Sequence, residues 1–176
     1  VGIEPETGYM IYQAINLNKS YIYGLEAKAQ MELFTIQNGS GTIGLNASLA
    51  YARGKEKGSN RPINSVEPFT AVVGIDYTYL DQIYLSARVK AVQAKKEKDI
   101  SSTTFYSVGR SPGYATVDII AEYKPKRDIT INAGLYNILD QKYWTWSERM
   151  SATSPEAITR ASSPGFNAAL SIKYEF

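Results

Sequence analysis

An all-β fold, an antiparallel transmembrane β-barrel segment of about eight strands, is predicted for this 176-residue chain by three observations. Apolar and polar residues alternate with period two over most of the length. The connections between alternating stretches are short and long in turn, and aromatic residues gather at stretch ends while Leu, Ile, Val and Ala fill the centres. The alternation is plainest in 21–34, where Tyr21, Tyr23, Leu25, Ala27, Ala29, Met31 and Leu33 interleave with Ile22, Gly24, Glu26, Lys28, Gln30 and Glu32. A helix would spread those charges around its cylinder, whereas a strand collects them on one side.

Taken in order, an irregular opening leads to a weaker first strand, Tyr9 to Asn16, and a polar turn at 17–20. The strand from Tyr21 ends before a Gly-rich turn at 37–41. Thr42 to Arg53 follows, with Ile43, Leu45, Ala47, Leu49 and Tyr51 in one phase, and then a long polar loop, 54–68. Phe69 to Leu80, a tight turn near Asp81-Gln82, and a strand from Ile83 to about Ala91 form the next hairpin. The Ser/Thr-rich loop 95–113 ends in Ser-Pro-Gly. Tyr114 to Lys124, a turn at 125–128, and a strand running from Ile129 as far as Trp146 come next. The loop 147–165 leads into the closing strand, Phe166 to Phe176.

Composition removes several function classes. Cys and His are both absent, so thiol nucleophiles, imidazole bases, the usual zinc ligands and histidine ligation of haem are missing. Asp118 and Glu122 lie i,i+4 on a strand, too far apart for paired acid–base work, and the expectation is that the chain is not an enzyme. A formal net charge of +2 with no basic-aromatic motif sets nucleic acid aside. No run approaches 18 apolar residues, which rules out a spanning helix and leaves a barrel open. Fourteen tyrosines suit a molecule with wet and apolar zones side by side. The chain starts at Val1 without an initiator Met, and the expectation is one domain, 1–176, cut from a longer protein.

With lipid outside the barrel, the polar phase faces the lumen: Glu26, Lys28, Glu32, Asp76, Arg88, Lys90, Asp118, Glu122, Lys124, Lys173 and Glu175. An ion-pair network between neighbouring strands is the ordinary fate of such charge and is preferred over a role in ligand passage. The short-turn ends carry Phe34, Tyr77, Tyr79, Tyr84, Tyr123, Tyr174 and Phe176; the long-loop ends carry Tyr21, Tyr23, Tyr51, Phe69, Tyr114, Tyr143, Trp144, Trp146 and Phe166. These are two aromatic girdles. A soluble sandwich or lipocalin-like barrel would share the alternation without the girdles.

The closing strand, FNAALSIKYEF, resembles the C-terminal strand that the assembly machinery of bacterial outer-membrane barrels reads as a signal. Four further stretches, Asn18–Lys28 (NKSYIYGLEAK), Pro62–Tyr77 (PINSVEPFTAVVGIDY), Tyr114–Tyr123 and Gly134–Trp144 (GLYNILDQKYW), make the chain similar to the C-terminal part of a TonB-dependent outer-membrane receptor. The haem, haemoglobin and transferrin receptor branch is the most similar. The resemblance implies a 22-stranded barrel filled by an N-terminal plug and energised by TonB, with this chain supplying the last eight strands. It implies contact with outer-membrane lipid and the barrel-assembly machinery, contact with TonB only through N-terminal regions not in this sequence, and no resident cofactor. Haem would be the transported ligand and haemoglobin, or another iron-carrying protein, the partner.

In such a receptor the long loops face outward, the C-terminus faces the periplasm, and ligand contact without His falls to aromatic and cationic groups. The candidates are Arg61 in the first long loop, Phe105, Tyr106 and Arg110 in the second, and Trp144, Trp146, Arg149 and Arg160 around the third. For Trp144 and Trp146, anchoring at the membrane interface is the preferred role. A self-contained eight-stranded barrel with an adhesive or structural role is the alternative, since eight strands can close around a side-chain-filled interior. In the receptor reading the strands 9–16 and 166–176 are unpaired edges when the chain stands alone.

Overall fold

A computed structural model describes residues 2–3, 5–11, 19–36, 40–101, 109–152 and 154–176. Its first two strands, β1 (Gly2–Ile3) and β2 (Met10–Ile11), form a small antiparallel ribbon of their own. The main sheet has seven strands: β3 (Ser20–Ile36), β4 (Gly41–Glu56), β5 (Thr70–Tyr79), β6 (Ile83–Val92), β7 (Tyr114–Lys126), β8 (Ile129–Tyr136) and β9 (Asn167–Tyr174). Every neighbour in the sheet is also the neighbour in sequence, and every pairing is antiparallel. It is an open segment of a transmembrane β-barrel, with β3 and β9 at its two edges.

Register shows why the alternation holds across the sheet. One row runs Met31, Leu45, Ile75, Ala87, Ile119, Leu135, Ala168 through all seven strands, every member apolar. The next row runs Glu32, Gly44, Asp76, Ser86, Ile120, Gly134, Ala169 on the other face. A slip of one residue in any pairing would carry a charge into the apolar face, so the pattern itself fixes the register. At the hairpin between β5 and β6, Leu80 and Asp81 both take positive φ (48° and 54°), and Gln82 N–H donates to the Tyr79 carbonyl at 2.9 Å. Two left-handed residues match the right-handed twist of the flanking strands.

Burial is inverted relative to a water-soluble sheet. On the apolar face Ile75 is 55% exposed and Leu170 70%, whereas on the polar face Ser86 is 2% and Thr116 4% exposed. No second layer covers the apolar face among the described residues, so the solvent that suits it is hydrocarbon. From the level of the Gly41–Tyr79 pair up to Tyr51, the ten residue steps of β4 cover roughly 34 Å along the strand, or about 26 Å along the membrane normal at a tilt of about 40°. That matches the height of the apolar band of an outer-membrane barrel, about 25 Å. β3 and β4 continue above it as a two-stranded projection, 20–25 paired with 51–56.

Four expectations need correction or restriction. Of the predicted first strand, Met10–Ile11 pairs with Gly2–Ile3 and not with the main sheet, while 12–16 lie outside the described residues, as do 17–18 and 37–39 of two predicted turns. The sheet edge on that side is therefore β3. The strand predicted to reach Trp146 stops at Tyr136, because Asn137 and Asp140 adopt left-handed φ values of 49° and 50° that no strand accommodates. The third long loop contains two helices, α1 (Trp146–Ser151) and α2 (Pro155–Arg160). Finally, Tyr84 and Tyr114 sit in the polar phase, the first with its hydroxyl donating to Asp76 Oδ1 at 2.9 Å and the second stacked on Tyr143 with centroids 4.3 Å apart, so neither belongs to the girdles.

Placing Lys at Ile75 should cost about 2–4 kcal/mol, the range for a charge on the lipid face near mid-membrane, whereas Lys at Asn132, on the opposite face and in register with Glu122, should be tolerated. Urea titration of the folded, heat-modifiable band of the full-length protein measures both. Equal sensitivity at the two positions would contradict the assignment of faces.

Candidate functional site

The three long loops do not splay apart. They close over one another around Trp146, the largest fully buried side chain among the described residues, with Val66 and Ala152 as further buried apolar residues. Trp146 Nε1 donates to the Asn64 carbonyl at 2.6 Å, joining the third loop to the first. Asn64 also exchanges two hydrogen bonds with Ser101, its Nδ2 donating to the Ser101 carbonyl and its Oδ1 accepting from the Ser101 N–H, each at 2.7 Å, joining first to second. The Lys95 ammonium donates to the Val66 carbonyl and lies 5.0 Å from the centroid of the Trp146 ring, a cation–π contact in a partly desolvated setting. Burial lowers the Lys95 pKa, and the carboxylates of Asp99 and Glu67 oppose that shift. Arg149 completes the joint, its Nε donating to the Arg110 carbonyl at 3.1 Å and its Nη1 to the Ala152 carbonyl at 3.3 Å.

Local chemistry sets each part in place. Thr145 and Glu148 form a capping box at the start of α1, so the chain turns into a helix at Trp146 and swings its indole inward. Ser154 caps α2, with Pro155 in its first turn. Glu148 is pushed up by burial but held below the ordinary glutamate value by hydrogen bonds from the Ser163 hydroxyl and from the Thr145 N–H and hydroxyl. Its contribution to loop stability is therefore present above the ordinary glutamate pKa and is lost as pH falls through the lowered value. Underneath, Asn137 binds the Gln141 carbonyl at 2.9 Å and the Pro164 carbonyl at 3.2 Å through Nδ2, and accepts from Gln141 N–H at 3.0 Å. Asp140 accepts the Phe166 N–H at 2.8 Å, at the threshold of β9, and a Cβ at Gly165 would collide with that carboxylate. The stretch GLYNILDQKYW is thus a clamp that returns the third loop to the sheet.

The predicted ligand residues take different places. Arg61 and Arg160 are exposed, and Arg110 is exposed and paired with Glu97. Trp144 is half-buried, its Nε1 donating to the Ile158 carbonyl at 2.6 Å. Trp146 and Arg149 are committed to holding the loops together, and both tryptophans sit in the loop cluster above the last paired residue of β8. Phe105 and Tyr106 lie outside the described residues. Sequence reasoning missed Asn64 and Lys95, which carry no pattern of their own and matter only because three loops meet at them.

The polar face holds a second cluster. Asp76 accepts from Asn46 Nδ2, from Tyr84 Oη and, at 2.6 Å, from Ser86 Oγ, while Arg88 donates to Ser86 Oγ at 2.9 Å and to Tyr84 Oη at 3.0 Å. Asp118 accepts the Asn137 N–H at 2.8 Å. Glu26, Lys28, Glu32 and Lys90 face neutral partners in register: Ala50, Ser48, Gly44 and both Val72 and Thr116. Among the described residues the ion pairs on this face join positions two apart on one chain segment, Glu122 with Lys124 at 2.7 Å and Lys173 with Glu175, not neighbouring strands. The expected interstrand ion-pair network is instead a network of hydrogen bonds: most of these charges fall opposite neutral residues, and Arg88, which does stand opposite Asp118 in register, donates to Ser86 and Tyr84 while Asp118 accepts from Asn137. At the short-turn end Tyr77, Tyr79 and Tyr123 lie in the apolar phase, and Tyr174 and Phe176 stand with ring centroids 6.4 Å apart.

Trp146→Ala should open the loop cluster at a cost of about 3–5 kcal/mol, the usual range for a buried tryptophan. Trp146→Phe should cost less, keeping most of the volume and losing the bond to Asn64. Limited proteolysis at 54–68 and 147–165 should accelerate strongly in the first variant while the heat-modifiable barrel band persists; unchanged proteolysis would show that the indole does not hold the loops.

Comparison with known proteins agrees with this geometry. Hemoglobin-haptoglobin-binding protein A of Haemophilus influenzae is 30% identical over 190 residues, covering 97% of this chain and 18% of that protein. The hemoglobin and hemoglobin-haptoglobin-binding protein of Haemophilus ducreyi is 30% identical over 168 residues, covering 82% of this chain and 17% of its own length. The chain thus spans about a fifth of these relatives. Among solved structures, the copper transporter OprC superposes with a TM-score of 0.72 over 89% of this chain and 24% of its own, at 20% identity, a likeness of fold. The pattern defining the family "TonB dependent receptor-like, beta-barrel" matches residues 2–138. An inside-out sheet, long joined loops at one end and this match over most of the sequence place the chain in the TonB-dependent receptor β-barrel family.

Proposed function

We propose that this chain forms part of an outer-membrane receptor that takes up iron from haem or haemoglobin, energised by TonB in the full-length protein. The observation that carries the proposal is the joining of three long loops at one end of a barrel sheet, in a chain whose relatives are named for binding haemoglobin. A prearranged loop surface binds a large partner with less ordering cost than three independent loops would. In this account the loop cluster faces the medium, Phe176 faces the periplasm, the apolar face meets outer-membrane lipid, and the closing strand is what the barrel-assembly machinery engages. TonB acts through other regions of the full-length protein, and haem is cargo.

Ligand contact is assigned to the exposed groups Arg61, Arg110 and Arg160, with Phe105 and Tyr106, because aromatics and arginines are the usual anchors at protein interfaces. Trp146 and Arg149 act one step removed, by holding the loops. The open order of the main sheet gives no support to a self-contained eight-stranded barrel.

Deleting 102–108 spares Ser101 and its bonds to Asn64, so the loop joint should survive. In the full-length protein the deletion should weaken haemoglobin binding by about tenfold or more, the scale of losing one or two interface anchors, with normal heat-modifiability. Unchanged binding with normal assembly would remove the second loop from the ligand site.

A further inference from the structure

The third loop carries a cleft whose chemistry is opposite to that of the exposed arginines. α1 and α2, with their C-terminal caps, bring small residues together, Ser147, Ser151 and Ala152 from the first and Ala157 and Ala161 from the second. They leave about 420 Å³ between them, with Glu148 on the wall. Both helices are fixed in place. The Trp146 indole ties α1 to the first loop through Asn64, and Trp144 Nε1 holds the Ile158 carbonyl of α2, so the cleft needs no partner to form it.

The hydroxyl protons decide what the cleft can bind. A carboxylate that gathers several donors is ionised and only accepts, so the Thr145 hydroxyl gives its one proton to Glu148 Oε2 at 2.8 Å. The Ser147 hydroxyl, 3.1 Å from Thr145 Oγ1, is then the donor of that pair, and the Ser151 hydroxyl donates to the Ser147 carbonyl at 2.9 Å. Neither serine has a proton left for a visitor. Glu148 Oε2 also accepts from the Thr145 N–H at 2.7 Å and the Ser163 hydroxyl at 2.6 Å, whereas Oε1 has no hydrogen bond among the described residues. Nor does Glu148 enter an ion pair among them. The side chains of the cleft therefore offer three acceptors, Ser147 Oγ, Ser151 Oγ and Glu148 Oε1, and no donor.

Such a lining suits a lysine. Its ammonium carries three donors on one atom, and its apolar four-carbon stem has Ala152, Ala157 and Ala161 to lie against. A guanidinium brings five donors, more than the cleft can satisfy, and an acidic side chain would meet like charge. We propose that the cleft between α1 and α2 receives a lysine side chain of the protein partner, with its ammonium held by Glu148, Ser147 and Ser151. The inference rests on the chain's role in a haemoglobin receptor, and it adds a contact of opposite charge that fixes the partner's orientation.

The experiment measures binding of native haemoglobin, and of haemoglobin with its lysines acetylated, to the full-length protein. Two variants fill the cleft, Ala157→Leu and Ser151→Lys, the second by placing an ammonium beside Glu148 from within. Acetylation should weaken binding to the unaltered protein about tenfold or more, the scale of losing a charged hydrogen bond. Each filled variant should bind native haemoglobin about tenfold more weakly and lose little further on acetylation. Glu156→Gln, on α2 but outside the cleft, should behave as the unaltered protein does. Proteolysis at 147–165 shows whether Ala157→Leu disturbs the loop; if it does, the exposed position 151 decides through Ser151→Lys. Acetylation that weakens a filled variant as much as the unaltered protein would overturn the proposal, as would undiminished binding of native haemoglobin by that variant. Failure of the unaltered protein to bind native haemoglobin would overturn the receptor assignment itself, and the lysine site with it.

Discussion

Hydrocarbon offers a backbone no hydrogen bonds, and nearly every feature of this chain answers to that constraint. A peptide N–H or carbonyl left unpaired among acyl chains costs several kcal/mol, so crossing strands must pair along their whole buried length. β4, β5 and β6 do so on both sides through the band, and β7 does from Ile119 to Tyr123, beyond which the Ile138 N–H donates to the Val117 carbonyl. The same solvent selects side chains with the opposite sense to water: the row through Ile75, Ile119 and Leu135 is left uncovered, while Asp76, Tyr84, Ser86 and Arg88 bond to one another on the far side. Edges cannot face lipid, so the open sides of β3 and β9 call for further strands, in keeping with a chain that spans about a fifth of its relatives.

Because the sheet has no core in the ordinary sense, burial is concentrated where water returns. The joined loops supply it, around Trp146 and Val66. Asn64 is the economical part of that joint, using its side chain toward the second loop and its carbonyl toward the third. A surface held in this way can present exposed arginines to a large partner without first ordering them. Glycine matters here for close approach: a Cβ at Gly54 would come within 2.9 Å of Val66 and 3.1 Å of Ile63, which fold back onto β4.

The sheet was legible in the sequence because a strand in lipid writes its environment directly into alternate residues. Faces, turns and loop asymmetry all follow from that period. The loop end was not legible to the same depth. Trp144 and Trp146, two apart beyond an apolar strand, look like girdle residues, yet the left-handed Asn137 and Asp140 have already ended the strand. Thr145 and Glu148 carry a readable signal, a capping box, and Ser154-Pro155 carry a second; the first announces a helix at the end of the expected strand and the second one inside the expected loop. Lys95 and Asn64 left no such trace, since their roles arise from contacts distant in sequence. Tyr84 was misplaced for a simpler reason, an aromatic at a strand end counted without regard to its phase.

The central claim is that one face of this sheet meets hydrocarbon and the other does not, and it is directly measurable, since these 176 residues contribute no cysteine of their own. Single cysteines introduced at each position of Thr70–Tyr79 in the full-length protein, spin-labelled and reconstituted in bilayers, can be scanned for accessibility to oxygen and to a polar nickel chelate. Labels at positions 71, 73, 75 and 77 should favour oxygen and labels at 72, 74, 76 and 78 the chelate, in strict alternation. A scan without that two-residue period, or with its phase reversed, would contradict the account.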